Sequence, residues 1–363
     1  MKESIINAFN LNYNLLYFAL AIVVLFFVSE YVINKKKSNK LQNIILIIFA
    51  CLYIFLIGTR DKFVGEDSER TLVYFLGIKT INSLDELKDI GIYLISKFAR
   101  IISDDYKVFF TINSILYVVP ITIGIFNITK KNRLIFFFLL VSMFFFKSMG
   151  INTTRQGIAF AFFFLAIALY NNKKWISIIL LIIAFFNHAS IIIPISFYLI
   201  SKKFTDMKIV FIIYVTCTVI SMFNINVNEF LGKIPIVNIL VEERMNRYYK
   251  EEYQLVYKTG FRLDFFIFNT IFVYIGYNAL KHLDEKIVTI KLYKNYLITY
   301  MFTSSFFFLM FSAAFSDRFG FLSWLFIPLI LLPYLQTNKR IGKFNISKIY
   351  IICLIIFIFF NFR

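Results

Sequence analysis

Histidine is nearly absent from this chain: His188 and His282 are the only two in 363 residues, beside three cysteines. A zinc site needs three or four His, Cys or carboxylate ligands brought together, so no His/Cys metal cluster and no metal or other cofactor is expected. Cys51, Cys217 and Cys353 lie far apart, each inside an apolar run. Such cysteines read as small core residues rather than a disulfide framework. The patterns GxxxxGK[ST], GxSxG and HExxH do not occur, which removes support for ATP-driven transport, serine hydrolysis and zincin chemistry. Acidic residues are few, 21 against 39 Lys and Arg, for a net charge of +18.

What fills the chain is apolar residue: 60% hydrophobic and 20% aromatic, with a mean hydropathy of +0.74. Apolar runs of membrane-spanning length recur from end to end, at 13–33, 107–128 and 293–314 among others. That pattern predicts an all-α polytopic integral membrane protein, a single transmembrane domain over 1–363. The short alternating segments of a membrane barrel are missing. The first run is too long for a cleaved leader and is expected to stay as a helix.

The lysines fall in short loops between apolar runs: NKKKSNK (34–40), KKN (130–132), NNKK (171–174), SKK (201–203) and NKRIGK (338–343). This is a cytoplasmic signature rather than a groove-binding stripe, so no nucleic-acid partner is expected. Placing these loops inside predicts about twelve transmembrane helices, near 13–33, 41–57, 107–128, 133–149, 154–170, 174–187, 189–201, 208–223, 263–280, 293–314, 319–335 and 346–361. Both termini are then external, with long external loops at 58–106 and 224–262. The run 175–200 has lysine pairs at both ends, so the positive-inside rule favours a short helix hairpin, 174–201, turning at Asn187–His188. Each arm is about 20 Å long against a hydrocarbon core of about 30 Å, which sets His188 below the outer surface in an externally open cavity. Within 58–106, Ile90, Tyr93, Leu94, Lys97, Phe98 and Ile101 follow helical spacing and predict an interfacial helix.

In this topology Arg133 and Arg340 are internal, whereas Arg60, Arg70, Arg100, Arg155, Arg244, Arg247, Arg262, Arg318 and Arg363 are external. Orientation needs only positive charge, so it does not explain the use of arginine outside. A guanidinium is a planar fork of donors that matches phosphate and carboxylate oxygens. Arg155 stands in the first turn of helix 154–170, behind the cap candidates Asn152, Thr153 and Thr154. It is the wrong sign for the helix dipole there, unless an anion binds beside the free N–H groups. The alternative is an arginine that snorkels to lipid headgroups.

His188 at the hairpin tip is either a general base or hydrogen-bond donor or a histidine satisfied at a tight turn. In RDKFVGEDSER (60–70), Asp67 or Glu66 is a candidate base and Arg60 a phosphate ligand, against a solvated loop of ion pairs. Asp317 is a helix cap candidate, and Arg318 repeats the Arg155 arrangement at a second helix start. Tyr248, Tyr249, Tyr253 and Tyr257, with Arg244 and Arg247, suit stacking on sugar rings or an interfacial belt.

The block MGINTTRQGIAFAFFFLAIALYNNKKWISIILLIIAFFNHASIIIPISFYLI (149–200) resembles the EpsG family of Wzy-like bacterial polysaccharide polymerases. It carries an N-x-x-R-Q start at Asn152, Arg155 and Gln156, and H-x-S at His188 and Ser190. GTRDKFVGEDSERTLVYF (58–75) adds R-x-x-x-x-G-x-D at Arg60, Gly65 and Asp67, with Glu66 in place of the usual threonine and Thr71 in place of a common tyrosine. The resemblance implies a lipid-donor glycosyltransferase in the bacterial cytoplasmic (inner) membrane, working on its outer face. It would move a growing glycan from undecaprenyl pyrophosphate to the next lipid-linked repeat unit of O-antigen, capsule or exopolysaccharide, alongside chain-length regulator and flippase proteins. For that reaction the features above predict catalytic roles for Arg155 and His188, with Asp67 as the second candidate base, and substrate contacts from Arg60, Asn152, Gln156, Arg244, Arg247, Tyr248, Tyr249 and Arg318. An O-antigen ligase would use the same arginines. A lipid-oligosaccharide flippase would need ionisable groups at mid-membrane on several helices.

Overall fold

The computed structural model describes residues 1–34, 39–77, 90–224, 257, 259–284 and 289–362. Among these the chain is helical, and the only strand-like feature is a bridge between Ile341 and Phe344. The helices are α1 (Lys2–Asn34), α2 (Asn39–Gly58), α3 (Ser68–Phe75), α4 (Ile90–Ile102), α5 (Tyr106–Ile128), α6 (Arg133–Ser142), α7 (Phe144–Ile151), α8 (Thr154–Leu169) and α9 (Lys174–Asn187). After a 3-10 turn, Ala189–Ile191, come α10 (Ile192–Lys203), α11 (Met207–Met222), α12 (Leu263–His282), α13 (Ile290–Leu309), α14 (Asp317–Trp324), α15 (Ile327–Gln336) and α16 (Ile346–Asn361). Five segments are long and apolar enough to cross a membrane: α1, α2, α5, α12 and Asp317–Gln336. The bent pair α6–α7 makes a sixth if it is one span, and several other expected spans fall on the shorter apolar helices α8, α9, α11 and α16.

The chain forms two compact units: 1–191 with 334–340 and 345–363, and 192–333 with 341–344. In the first unit, every residue of α6 from Leu134 to Ser142 is buried, as befits a helix that is apolar on all sides. Helices α1, α2, α5 and α16 pack around it. Tyr17 stacks on Phe357 and Phe138, and the Tyr350 hydroxyl donates to the Ala21 carbonyl at 2.9 Å. Helix α8 is also buried almost all round, packed between α5 and α9.

Residues 133–149 were expected as one helix, and the structure breaks them. The break falls at Met143, in extended backbone, with a 75° bend between α6 and α7. Ser142 Oγ donates to the Phe138 carbonyl at 2.7 Å and lies 3.0 Å from the Tyr17 hydroxyl. Such bonding back to the i−4 carbonyl competes with the amide ladder and bends helices.

In the second unit Trp324 is fully buried among Phe265, Phe268, Phe307 and Phe321. Fully buried Asn269 ties three helices together: its Oδ1 accepts from Ser304 Oγ (2.9 Å), the Tyr300 hydroxyl (3.2 Å) and Ser323 Oγ (3.3 Å). Interhelical polar bonds of this kind hold membrane bundles, where apolar contact alone discriminates little between protein and lipid.

Candidate functional site

The two motif stretches of the first unit are packed on one another. The backbone N–H of Glu66 donates to Asn152 Oδ1 at 2.6 Å, and Ser68 Oγ shares its proton between the Val64 carbonyl at 2.7 Å and the Ile151 carbonyl at 3.1 Å. Gly65 allows that approach. Its φ is +98°, a region L side chains avoid, and a Cβ there would collide with the Ile151 carbonyl oxygen. The loop between α2 and α3 is therefore seated on the turn from α7 into α8, next to Arg155. Asp67 occupies the N-cap position of α3 without a side-chain cap bond, and its carboxylate lies 3.5 Å from the exposed Arg70 guanidinium.

Arg60 lies under this loop, only 3% exposed. Its Nη1 donates to the Ile57 carbonyl at 2.7 Å, at the end of α2, and its guanidinium lies 3.9 Å from the Phe110 ring centroid. Among the described residues Nε and Nη2 have no hydrogen-bond partner. Burial pushes the guanidinium pKa down to about 9, which leaves it cationic at neutral pH. A buried cation with two unused donors and a stacked aromatic face is a strong local source of positive potential.

At the start of α8, Thr153 holds the N-cap position but its side chain makes no cap bond, and its Oγ1 is buried without a partner among the described residues. Asn152, a second cap candidate, is committed to Glu66. So the first turn of α8, which contains Arg155, lacks side-chain capping at Thr153. Gln156, one residue on, is buried.

Helix α9 ends at Asn187, with His188 as its C-cap in extended backbone (φ −156°), so the helix break falls where the sequence placed it. The two arms of the expected hairpin belong to different units, α9 to the first and α10 to the second. Helices α8 and α9 run antiparallel through the short 170–173 connection, and Ser177 Oγ donates to the Ala166 carbonyl at 2.8 Å. Eleven residues separate Ala166 from Arg155, and eleven separate Ser177 from His188. At an equal rise per residue, this register brings Arg155 and His188 to the same level at one end of the pair. Helix α4 closes on that end, since a Cβ on Gly91 would strike the Asn187 side chain. The opposite face of α4 turns Leu94, Phe98 and Ile101 outward.

Ser190 Oγ lies 2.6 Å from His188 Nδ1. Ser190 and Ser68 were not among the residues assigned a role from sequence, and neither was Lys147. Lys147 sits on α7, half-buried, with Nζ 3.5 Å from Asn361 Oδ1 and 5.0 Å from the Tyr13 ring centroid. Its position inside FFFKSMGI made it read as part of an apolar run.

In the second unit, Asp317 opens α14 and its Oδ1 accepts from the Tyr257 hydroxyl at 2.8 Å. Burial and the Asp317 carboxylate raise the Tyr257 pKa, so the phenol stays protonated and donates. The Arg318 guanidinium lies 5.1 Å from the Phe315 ring. Arg244, Arg247, Tyr248, Tyr249 and Tyr253 fall outside the described residues. Among the described residues no three His, Cys, Asp or Glu side chains gather as a metal-ligand set.

The sequence model of the EpsG family matches residues 43–363. The chain belongs to the EpsG family. No curated protein and no solved structure matches it. The EpsG match contains every residue assembled in the first-unit site, from Arg60 through Asn152 and Arg155 to His188 and Ser190.

Proposed function

We propose that this EpsG-family chain is a polysaccharide polymerase: a lipid-donor membrane glycosyltransferase that moves a growing glycan from undecaprenyl pyrophosphate to a hydroxyl of the next lipid-linked repeat unit. The observation that carries the reading is the seating of the Arg60–Asp67 loop on the Asn152–Arg155 turn, with His188 level with Arg155. In the transfer, the acceptor oxygen bonds to the anomeric carbon and the bond from that carbon to the pyrophosphate oxygen breaks. Negative charge gathers on the leaving pyrophosphate, and preorganised donors aimed there supply the main electrostatic stabilisation.

Arg155 and the first turn of α8 take the pyrophosphate in this reading. Arg60 adds positive potential from beneath the loop, and Gln156 and Asn152 line the same turn. His188 meets the acceptor hydroxyl as base or orienting group, with Asp67 the second candidate for the base, and Tyr248 and Tyr249 hold sugar. With Lys173 and Lys174 at the cytoplasmic boundary, α8 and α9 rise only about 21–24 Å through a core of about 30 Å. The Arg155–His188 level then lies some 6–9 Å below the outer boundary, within reach of a pyrophosphate whose lipid tail stays in the bilayer.

The test is deletion of the gene, with complementation by wild type, Arg155→Ala or His188→Ala and polysaccharide length read on a gel. Single repeat units in the deletion strain, restored to a ladder by wild type alone, are the expected result. Long chains persisting in the deletion strain would sink the reading.

A further inference from the structure

Lys147 stands in a polar cluster that the motif stretches do not account for. Its Nζ meets Asn361 Oδ1 at 3.5 Å, the long limit of a hydrogen bond, and lies 5.0 Å from the Tyr13 ring centroid. Tyr13 and Tyr53 are fully buried, with their rings edge-on at 5.5 Å. Among the described residues neither hydroxyl has a hydrogen-bond partner, and nor has Asn14 Oδ1, one position along α1. Tyr53 also packs on Phe146, the neighbour of Lys147, with ring centroids 5.9 Å apart. Helices α1, α2, α7 and α16 of the first unit thus gather a cation, two phenols and an amide, and among the described residues no carboxylate pairs with the cation. Leaving such groups unpaired in an apolar interior is unfavourable. An ionisable group inside a membrane segment is retained where it meets a ligand or a pathway.

The donor set names the ligand class. An ammonium has three N–H donors and each phenol one O–H donor. A positive charge with phenol donors beside it suits an anion with several acceptor oxygens, whereas a neutral sugar hydroxyl would leave the charge unmet. Depth supports a phosphate. With Lys343 at the cytoplasmic boundary, Asn361 is the last of the 16 residues of α16, about 22–24 Å up at the helical rise. That is the level Arg155 and His188 reach at the ends of α8 and α9.

We infer that Lys147, with the Tyr13 and Tyr53 hydroxyls, forms a second anion site, which holds the pyrophosphate of the acceptor lipid while Arg155 takes that of the donor. This rests on the polymerase reading, in which both substrates are lipid-linked and each carries a pyrophosphate. Only the donor's pyrophosphate leaves, so it belongs with the planar guanidinium and His188. The acceptor's keeps its bond to sugar throughout and needs only to be held, which an ammonium does as a point charge. Lys147 and Arg155 lie on either side of the turn from α7 into α8, so one corner of the fold carries both cations.

A phospholipid headgroup offers the same oxygens, and mass separates the two sources. The full chain in detergent is measured by native mass spectrometry with farnesyl pyrophosphate, a short polyisoprenyl pyrophosphate, and an equal amount of phosphatidylglycerol. Wild type and Lys147→Arg are expected to carry two farnesyl pyrophosphate molecules and Lys147→Met one, all eluting alike in gel filtration. Tyr13→Phe combined with Tyr53→Phe should lower the occupancy of the second. An equal count on wild type and Lys147→Met would overturn the inference. So would phosphatidylglycerol as the molecule that Lys147→Met loses, which would make Lys147 a headgroup contact. The count does not depend on polymer synthesis, so its failure and that of the polymerase reading in the deletion test are told apart.

Discussion

The Oδ1 of Asn152 accepts the backbone N–H of Glu66 at 2.6 Å, joining positions 86 residues apart. This bond commits Asn152's oxygen to the protein, so a substrate contact would fall to its amide NH2 group. The two roles open to Asn152, holding the loop and touching substrate, are therefore carried by different atoms. Asn152→Asp keeps an acceptor for Glu66 and loses the NH2 group, whereas Asn152→Ala loses both. Loss of a bond to a partly exposed amide costs about 0.5–1.5 kcal/mol. If the loop bond dominates, Asn152→Asp retains polymer length and Asn152→Ala shortens it, both at wild-type abundance in the membrane. Shortening by both variants alike would assign the NH2 group of Asn152 to substrate.

Gly65 gives a sharper test of the same seam. Its φ of +98° and the Ile151 carbonyl in its path leave no place for a methyl group. Gly65→Ala is expected to cost about 1–3 kcal/mol locally and to lift the loop off the α7–α8 turn. The measurable sign is protease cleavage between residues 60 and 70, together with collapse of the polysaccharide ladder. An intact, uncleaved Gly65→Ala protein with full-length polymer would show that the seating is dispensable.

Arg155 distinguishes a clamp from a snorkelling side chain. As a phosphate clamp it uses a planar fork that lysine reproduces only as a point charge. Arg155→Ala is expected to abolish chain extension and Arg155→Lys to keep a small part of it, with both proteins present in the membrane. A lipid-headgroup contact would tolerate lysine fully and alanine nearly so. Full activity of Arg155→Ala would remove the pyrophosphate role.

Much of this site is legible in local sequence, because helix ends and breaks are local events. Arg155 at a helix start, His188 at a helix break and the α4 helix all follow from spacing and flanking charge. What the sequence hides is long-range. Nothing local says that Ser68 reaches the Ile151 carbonyl, or that Gly65 yields space to a chain segment 86 positions away. The break at Met143 is equally hidden, since it depends on Ser142 bonding back to Phe138 beside Tyr17. The external arginines stand out by residue type, whereas the apolar neighbours of Lys147 mask it.

Lys147 supplies the last test. Its ammonium is half-buried in the first unit and, among the described residues, meets an amide oxygen at 3.5 Å and the Tyr13 ring. Among the described residues the Tyr13 and Tyr53 hydroxyls and Asn14 Oδ1 are buried without partners, and the two tyrosine rings stand edge-on at 5.5 Å. Desolvating an ammonium without a carboxylate is unfavourable, and one cation–π contact offsets only part of it. Replacing the group by an apolar chain of similar length should therefore stabilise the protein. Lys147→Met is expected to raise the unfolding temperature in detergent by roughly 2 °C, about 1 kcal/mol for a chain of this size. A cation that lowers stability in an apolar segment is kept for use, so the same variant is expected to make shorter polymer. A stabilised Lys147→Met that still builds full-length chains would confine Lys147 to a structural accident, and a destabilised one would mean that the ammonium has a stronger protein partner than Asn361.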